Sequence, residues 1–342
     1  MFAALPPVFA GLSRSDADEA ASYLRQVDVE PGDVLTYEGE TDLTIAFIAA
    51  GTVELWRGEI KVGSAGPRDM FGEVELFTGG PRVGSVTALG PVTLHALDAD
   101  GYVALCDAGN PVVFALERAV HRRLCDRIRL LHVGIVERSP GVPFRLSPPT
   151  THKSFFARLM DRVRGPEEPP QPTAVPADAL QRSMLFDWAE PEVVQALAGF
   201  FRPVRFGPEE VLLRQGGTGD RILLLVEGKV ETVLRVDELH AESLAVVEPG
   251  IAFGDVAVAL GSPRTATFVS RGPVQALEIE RASFLSLYQI DDALGSTFRQ
   301  GLIRNLILQL DHAVERYALL EHRRLDMLAQ RPVDEQKHLW RD

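Results

Sequence analysis

The sequence FGEVELFTGGPRVGSV at residues 71–86 occurs again as FGDVAVALGSPRTATF at residues 253–268. The two copies align without a gap, so every matched pair of positions has the same separation in the chain. Both copies contain a glycine beside an acidic residue, a short apolar segment, and an arginine nine residues after the acid. Backbone amides at a helix start and a guanidinium both bind phosphate, and the neighbouring carboxylate can accept a hydrogen bond from a sugar hydroxyl. The pattern therefore predicts two sites for a ligand that joins phosphate to ribose.

The two copies resemble the phosphate-binding cassette of cyclic nucleotide-binding domains. This family includes the catabolite activator protein, the regulatory subunits of cAMP-dependent protein kinase and the cyclic nucleotide-gated channels. The resemblance depends on F-G-E or F-G-D, the turn of helix and P-R at a fixed spacing, and it extends over most of the chain. It implies a mainly β fold with α-helices: two tandem antiparallel β-rolls of the jelly-roll or double-stranded β-helix type, each flanked by helices, and a long C-terminal helix.

The repeat extends beyond the cassettes and divides the chain. Short β-rich runs separated by glycine turns precede each cassette, and a helical pattern follows it. The predicted domains are residues 1–138 and 178–330, followed by a tail at 331–342. The segment between them, residues 139–177, contains nine of the 23 prolines and is predicted to be an extended linker.

One segment of the linker has an amphipathic pattern. Within residues 153–164, Phe155, Phe156, Leu159 and Val163 would share one face of a helix. Such a helix could bind a partner or an acidic membrane surface. The alternative, which we favour, is a helix that covers apolar surface of the chain itself.

Composition and charge limit the class of protein. The chain has 342 residues, enough for two domains with a core each. Its formal net charge of −13 argues against a protein that coats nucleic acid, because such binding depends on clustered Lys and Arg. Cys106 and Cys125 form no C-x-x-C pair, and no apolar run approaches the ~20 residues of a membrane span. We expect a soluble, cytoplasmic protein.

The resemblance assigns roles in the first cassette. It implies that Gly72 and the amides after it bind the cyclic phosphate, that Arg82 pairs with the phosphate charge, and that Glu73 accepts from the ribose 2′-hydroxyl. Family members usually carry Ala or Gly at the position of Glu75, where a carboxylate would oppose a bound anion. The predicted first site comprises Phe71, Gly72, Glu73, Val74, Glu75, Pro81, Arg82, Val83, Arg123 and Arg127.

The second cassette departs from the family pattern at a different place. Asp255 replaces the usual glutamate and has a shorter reach towards the ribose. Thr265 resembles the threonine of cGMP-responsive members, although a β-branched residue is also ordinary in a strand. The predicted second site comprises Phe253, Gly254, Asp255, Val256, Ala257, Pro263, Arg264, Thr265, Asn305 and Gln309.

Two residues on the helix after each roll could cover the base of the nucleotide. Arg123 and Arg127 align with Asn305 and Gln309 at the same separation that relates the two cassettes. Each pair has the four-residue spacing of one helical face, so the arginines could stack on a purine and the amides could bind its edge. The alternative, which we favour from spacing alone, is a solvated helix face.

No pattern of residues predicts catalysis, and the scattered histidines predict no metal site. We expect no cofactor, only cAMP or cGMP as ligand, and a protein partner that the sequence does not identify. The two halves could pack as an intramolecular pseudo-dimer, or the long helix over residues 291–329 could form a homodimer. The function predicted is a cyclic nucleotide sensor or regulatory protein, and the alternative is a protein-interaction scaffold whose nucleotide sites have degenerated.

Overall fold

The computed structural model of the chain describes residues 6–143 and 177–329. The amphipathic segment 153–164 lies outside these residues, so its predicted role stays a prediction.

Packing divides the described chain inside its two longest helices, α4 (Val112–Arg138) and α9 (Ala293–Ala329). One unit contains residues up to Arg123 together with the chain from Leu310 onwards, and the other runs from Leu124 to Gln309. Each unit therefore contains parts of both helices. The predicted domain boundaries follow the sequence repeat and stay a prediction.

The first unit contains an antiparallel β-roll of eight strands in two sheets. After α1 (Arg14–Ser22), the strands are β1 (Arg25–Val29), β2 (Val34–Thr36), β3 (Ile45–Ala50), β4 (Val53–Arg57), β5 (Ile60–Ala65), β6 (Met70–Phe71), β7 (Ser85–Ala88) and β8 (Val92–Leu97). One sheet has the order β1-β8-β3-β6 and the other β2-β7-β4-β5. The short helix α2 (Glu73–Thr78) follows β6, and α3 (Ala99–Asp107) follows β8.

The core of the first roll is formed by apolar side chains from both sheets. Ile48 and Leu94 come from one sheet, and Val53 and Val86 come from the other. These positions are β-branched or bulky aliphatic residues that pack well on a pleated surface. Burying each of them fully stabilises the fold by roughly 1.5 to 3 kcal/mol before conformational entropy is counted.

The second unit repeats this architecture. After α5 (Ala177–Gln181) and α6 (Pro191–Ala198), its strands are β10 (Arg202–Phe206), β11 (Val211–Leu213), β12 (Arg221–Glu227), β13 (Val230–Arg235), β14 (His240–Val247), β15 (Ala252–Phe253), β16 (Thr267–Ser270) and β17 (Val274–Glu280). The sheet orders β10-β17-β12-β15 and β11-β16-β13-β14 match those of the first roll. Strand β9 (Val142–Pro143) pairs with the edge of β14. The helices α7 (Asp255–Leu260) and α8 (Arg281–Gln289) correspond to α2 and α3.

Helix α9 joins the second unit through a buried arginine as well as an apolar face. Phe298 and Leu302 pack into a core with Phe284 of α8. Arg299 is fully buried and donates from Nη1 to the carbonyl oxygens of Tyr288 and Ile290, at 3.0 and 2.7 Å. These carbonyls lie at the end of α8, where a helix leaves its acceptors unpaired and carries partial negative charge. The arginine therefore fixes the start of α9 against the end of α8.

The predicted fold class is confirmed: two antiparallel β-rolls with flanking helices and a long C-terminal helix. The matched residues Gly51 and Gly228 are separated by fewer residues than the matched residues Arg82 and Arg264. The second repeat therefore contains additional residues between these positions, and they lengthen the β13–β14 hairpin. An insertion at a hairpin tip disturbs a β-roll little because the strands on either side keep their register.

The tight turn before β13 provides a test of the fold. Gly228 has φ +99°, and a Cβ there would lie 2.4 Å from the Pro273 carbonyl oxygen, whereas Gly216 has φ +80° and open space around it. Gly216→Ala should lower the free energy of unfolding by about 1 to 2 kcal/mol through backbone strain alone. Gly228→Ala adds a clash with backbone and should lower it by at least about 1 kcal/mol more. Urea unfolding followed by circular dichroism measures both, and equal effects would contradict the packing of this turn.

Candidate functional site

The helix of each cassette follows a glycine in the left-handed conformation. Gly72 has φ +86° and Gly254 has φ +89°. A Cβ on Gly72 would lie 2.2 Å from the Thr44 carbonyl oxygen and 2.5 Å from Arg82 Nη1, and one on Gly254 would lie 2.8 Å from Arg264 Nη1. Only a residue without a side chain lets the guanidinium approach the backbone this closely. The glycine and the arginine of the sequence motif therefore come together in both repeats.

Arg82 in the first cassette is surrounded by acceptors. Its Nη2 donates to Asp42 Oδ2 at 2.7 Å and to the Thr44 carbonyl at 2.9 Å. Its Nη1 donates to Glu75 Oε2 at 3.1 Å, and the other oxygen of Glu75 accepts from the Val83 amide at 2.9 Å. The side chains of Arg82 and Glu75 are only 3% and 4% exposed. Glu75 and Arg82 therefore form a buried ion pair, and the predicted opposition between Glu75 and a bound anion stays a prediction.

Arg264 in the second cassette has a related set of partners. Its Nη2 donates to Asp220 Oδ1 at 2.8 Å and to the Arg221 carbonyl at 2.9 Å. Its Nη1 donates at 3.2 Å to the carbonyl of Gly254. Ala257, which corresponds to Glu75, is buried and has no side-chain oxygen to offer. Burial lowers the pKa of Arg264 from its ordinary value, and the carboxylate of Asp220 acts against this shift.

The carboxylates of Asp42 and Asp220 hold the two guanidinium groups from the solvent side. They are 48% and 61% exposed, so each pair has one buried and one exposed partner. Partial burial acts to raise the pKa of both, but hydrogen bonds and the positive charge of the arginine outweigh it, and the pKa of both is lowered. Both aspartates were outside the predicted site, although each lies before the cassette in the same repeat as its arginine.

Asp255 is fully buried in the second unit, where two amide side chains of α9 bind it. Asn305 Nδ2 donates to Asp255 Oδ2 at 3.3 Å, and Gln309 Nε2 donates to Oδ1 at 3.3 Å. Asn305 also exchanges two hydrogen bonds with the backbone of Ala252, at 2.9 and 3.0 Å. Burial raises the pKa of Asp255 to about 6, and the hydrogen bonds from Gln309, Val256 and Asn305 act against this shift. We call Asp255, Asn305 and Gln309 the Asp255 cluster.

The other predicted cassette residues are divided between core and surface. Phe71, Glu73, Val74, Phe253 and Val256 are buried, whereas Pro81, Val83 and Pro263 are exposed and Thr265 is half-buried. The burial of Glu73 and Asp255 places both acids beneath the surface. A ribose hydroxyl can reach either acid only if the groups around it move.

The four residues predicted on the helices have different environments. Arg123 pairs with Asp69 in the first unit. Asn305 is fully buried, so a solvated face does not describe it, and Gln309 is partly buried. Arg127 is also partly buried. None of these contacts tests whether the residues cover a base, which stays a prediction.

Sequence reasoning missed His132, which lies on α4 within the second unit. Its Nδ1 is 3.0 Å from the hydroxyl of Thr265, the residue directly after Arg264 in the chain. Burial lowers the pKa of His132 to about 4, so the ring is neutral at physiological pH and has one donor and one acceptor nitrogen. The two residues are far apart in the chain, and no local pattern in the sequence indicates their contact.

Two further kinds of site can be checked in the described part of the chain. No group of three His, Cys, Asp or Glu side chains is placed to hold a metal ion there. No helix among the described residues has the length and apolar character that a membrane crossing requires.

Several known proteins are similar to parts of this chain. The cAMP-dependent protein kinase regulatory subunit of Dictyostelium discoideum is 40% identical over 92 residues, 26% of this chain and 28% of that protein. Acetyltransferase Pat of Mycolicibacterium smegmatis is 32% identical over 136 residues, 38% of this chain and 40% of that protein. The chain spans less than half the length of these two relatives. The co-crystal structure of the regulatory domain of Toxoplasma gondii PKA with cAMP is 19% identical, with a TM-score of 0.31, and the match covers 82% of this chain and 87% of that one.

The family model described as cyclic nucleotide-binding domain matches residues 26–108 and 203–291. The two matches lie one in each repeat and together make up about half of the chain. The chain therefore belongs to the cyclic nucleotide-binding domain family and contains two such domains.

Proposed function

We propose that this protein is a cyclic nucleotide sensor in which the second domain binds the nucleotide and helix α9 passes the signal to a protein partner. The observation that carries the proposal is the buried Arg264 guanidinium against the start of the second cassette. We call Arg264 Nη1 and the Thr265 amide the second anion site.

The contacts of Arg264 support the second anion site as the place where the phosphate binds. Arg264 is held in place through Nη2, while Nη1 donates to the neutral carbonyl of Gly254 at 3.2 Å. Exchanging that carbonyl for a phosphate oxygen replaces a hydrogen bond to a neutral acceptor with one between oppositely charged groups, which is shorter and stronger. Ala257 leaves this position free of a competing side chain.

The Asp255 cluster supplies a route from ligand to helix. A ribose hydroxyl that donates to Asp255 competes with Asn305 and Gln309 for the same carboxylate oxygens. Nucleotide binding would therefore weaken the attachment of α9 at these positions. The exposed face of α9 would then change its position, so a partner that binds this face would sense the nucleotide.

The base would lie near the contact between His132 and Thr265. The neutral imidazole can donate to or accept from a purine edge, and the Thr265 hydroxyl can do the same. Both cAMP and cGMP fit this description and both belong in the binding tests. We also propose that the protein is non-enzymatic and cytoplasmic, and that it acts either as an intramolecular pseudo-dimer or as a homodimer through α9.

The alternative function is a protein-interaction scaffold with degenerate nucleotide domains. Two observations favour it: the Glu75 carboxylate is paired with Arg82, and Asp255 is buried beneath two amides. A scaffold would keep both β-rolls and bind its partner without any nucleotide.

Substitution of the second arginine tests the proposed function. Calorimetric titration of the full chain with cAMP and cGMP should give binding that Arg264→Ala weakens by about 10- to 150-fold, since hydrogen bonds to charged groups contribute about 1.5 to 3 kcal/mol. Arg271→Ala is the matched control, because Arg271 is in the same domain but pairs with Glu209 and Glu231. Absence of heat and of any thermal shift with either nucleotide would support the scaffold instead.

The Gln309→Ala variant distinguishes the two roles of the α9 amides. If Gln309 competes with the ribose for Asp255, its removal should tighten nucleotide binding by about tenfold. This is the lower end of the effect of a hydrogen bond to a charged group, because the bonds from Gln309 are long, at 3.3 and 3.4 Å. If Gln309 binds the base, which its helix position would allow, the same substitution should weaken binding. Titration calorimetry at one pH and salt concentration separates a gain from a loss.

Nucleotide affinity should depend on pH through Asp255. An ionised carboxylate accepts from the ribose hydroxyl, and with a pKa of about 6 Asp255 is mostly protonated at pH 5. Affinity should therefore rise by about tenfold between pH 5 and pH 7. His132 has a pKa of about 4 and does not change charge over this range. Asp255→Asn should remove the dependence, and an unchanged slope in this variant would exclude Asp255 as its source.

A further inference from the structure

We infer that the Glu75 carboxylate occupies the anion site of the first domain, so that this domain is closed to cyclic nucleotide and the chain binds one nucleotide rather than two. The inference rests on the proposed function in one respect, because it takes the second domain as the one that binds nucleotide. We call Arg82 Nη1 and the Val83 amide the first anion site.

One carboxylate satisfies both donors of the first anion site. Glu75 Oε2 accepts from Arg82 Nη1 at 3.1 Å and Oε1 accepts from the Val83 amide at 2.9 Å. Two oxygens of one anionic group thus bridge a guanidinium and a backbone amide, which is the arrangement a phosphate would adopt at the same place. The side chain of the protein acts here as an internal anion.

Comparison of the two arginines isolates this difference. In both domains Nη2 donates to an aspartate and to a backbone carbonyl, from Asp42 and Thr44 in the first and from Asp220 and Arg221 in the second. The partners of Nη1 differ. Nη1 of the first arginine has a charged carboxylate, whereas Nη1 of the second has the neutral carbonyl of its own cassette glycine.

Burial makes the internal anion difficult to displace. The Glu75 side chain is 4% exposed, so it does not turn into solvent as a carboxylate beside a bound anion would have to. A phosphate that took its place would leave a buried carboxylate without its partner and beside a like charge. Both effects oppose binding, and the second domain has neither because residue 257 is alanine.

Removal of Glu75 would free both donors of the first anion site for an external anion. Arg82 Nε is buried and has no hydrogen-bond partner in the described part of the chain. The carboxylate therefore uses only part of the guanidinium, through Nη1. An external phosphate could then accept from Nη1 and from the Val83 amide in place of the carboxylate.

Reciprocal substitutions at the two matched positions test the inference. The full chain is titrated calorimetrically with cAMP and with cGMP, and the number of sites is counted. The parent should bind one equivalent. Glu75→Ala should bind a second one, with at least about a tenfold gain in affinity at that site, and Glu75→Ala combined with Arg82→Ala should lose it again. Ala257→Glu should abolish binding to the second domain.

Uncharged variants separate charge from volume and folding. Glu75→Gln keeps the shape of the side chain without its charge, so it should gain the second site, more weakly than Glu75→Ala. Ala257→Gln adds the same bulk as Ala257→Glu at a buried position, so a greater loss of affinity in the Glu variant measures the charge. Thermal melts confirm that each variant is folded before it is titrated.

The outcomes distinguish this inference from the proposed function. Two equivalents bound by the parent would overturn the inference and leave the proposed function intact. No binding by the parent would count against the proposed function, while a gain in Glu75→Ala would still support an internal anion. Failure of both folded variants, Glu75→Ala and Glu75→Gln, to gain a site would overturn the inference whatever the parent does.

Discussion

The feature on which both domains depend is an arginine guanidinium held against the backbone of a left-handed glycine. Arg82 and Arg264 are nearly fully buried, and each is fixed through Nη2 by a carboxylate and a carbonyl oxygen from another part of its roll. A buried cation is stable only when its donors are paired, so the surrounding loops must adopt one arrangement. The cassette helix, the preceding strand and the aspartate loop are thereby held together in each domain. The partner of Nη1 is not fixed in this way and differs between the two domains.

The two domains have diverged at this one adjustable position. A carboxylate from Glu75 pairs with Nη1 in the first domain, and alanine at residue 257 leaves the corresponding nitrogen to a carbonyl. A single side chain thus decides whether Nη1 of the arginine pairs with a second carboxylate of the chain or with a neutral carbonyl. Duplicated domains can keep the same fold while one provides binding and the other provides structure, since fold and site depend on different residues.

The sequence contained enough information to predict the fold and the cassettes but not the contacts of the helices. The glycine, acid and arginine of each copy lie close together in the chain, so their pattern predicts a local geometry. The partners of Asn305 and His132 could not be predicted from such a local pattern. They depend on the way in which the long helices α9 and α4 pack against a roll. A four-residue spacing shows that Asn305 and Gln309 share a face but does not show what that face contacts. The ion pair of Glu75 is an intermediate case. The sequence shows that Glu75 departs from the family pattern, but it does not show that Glu75 pairs with Arg82.

Under the proposed function, the Asp255 cluster would determine how strongly nucleotide and partner are linked. A ligand shifts a conformational equilibrium only by its difference in affinity between two states, and couplings of this kind are typically ~1 to 3 kcal/mol. Hydrogen bonds to a charged group contribute about 1.5 to 3 kcal/mol each, so the bonds from Asn305 and Gln309 to the Asp255 carboxylate are large enough to supply a coupling of this size. If the ribose replaces them, the attachment of α9 weakens by a similar amount. Arg299 still holds the start of the helix against α8, so the change would be concentrated in the part of α9 that follows Asn305. Under the proposed function, a partner would therefore sense the nucleotide through the turns of α9 around Asn305 and Gln309 rather than through its beginning.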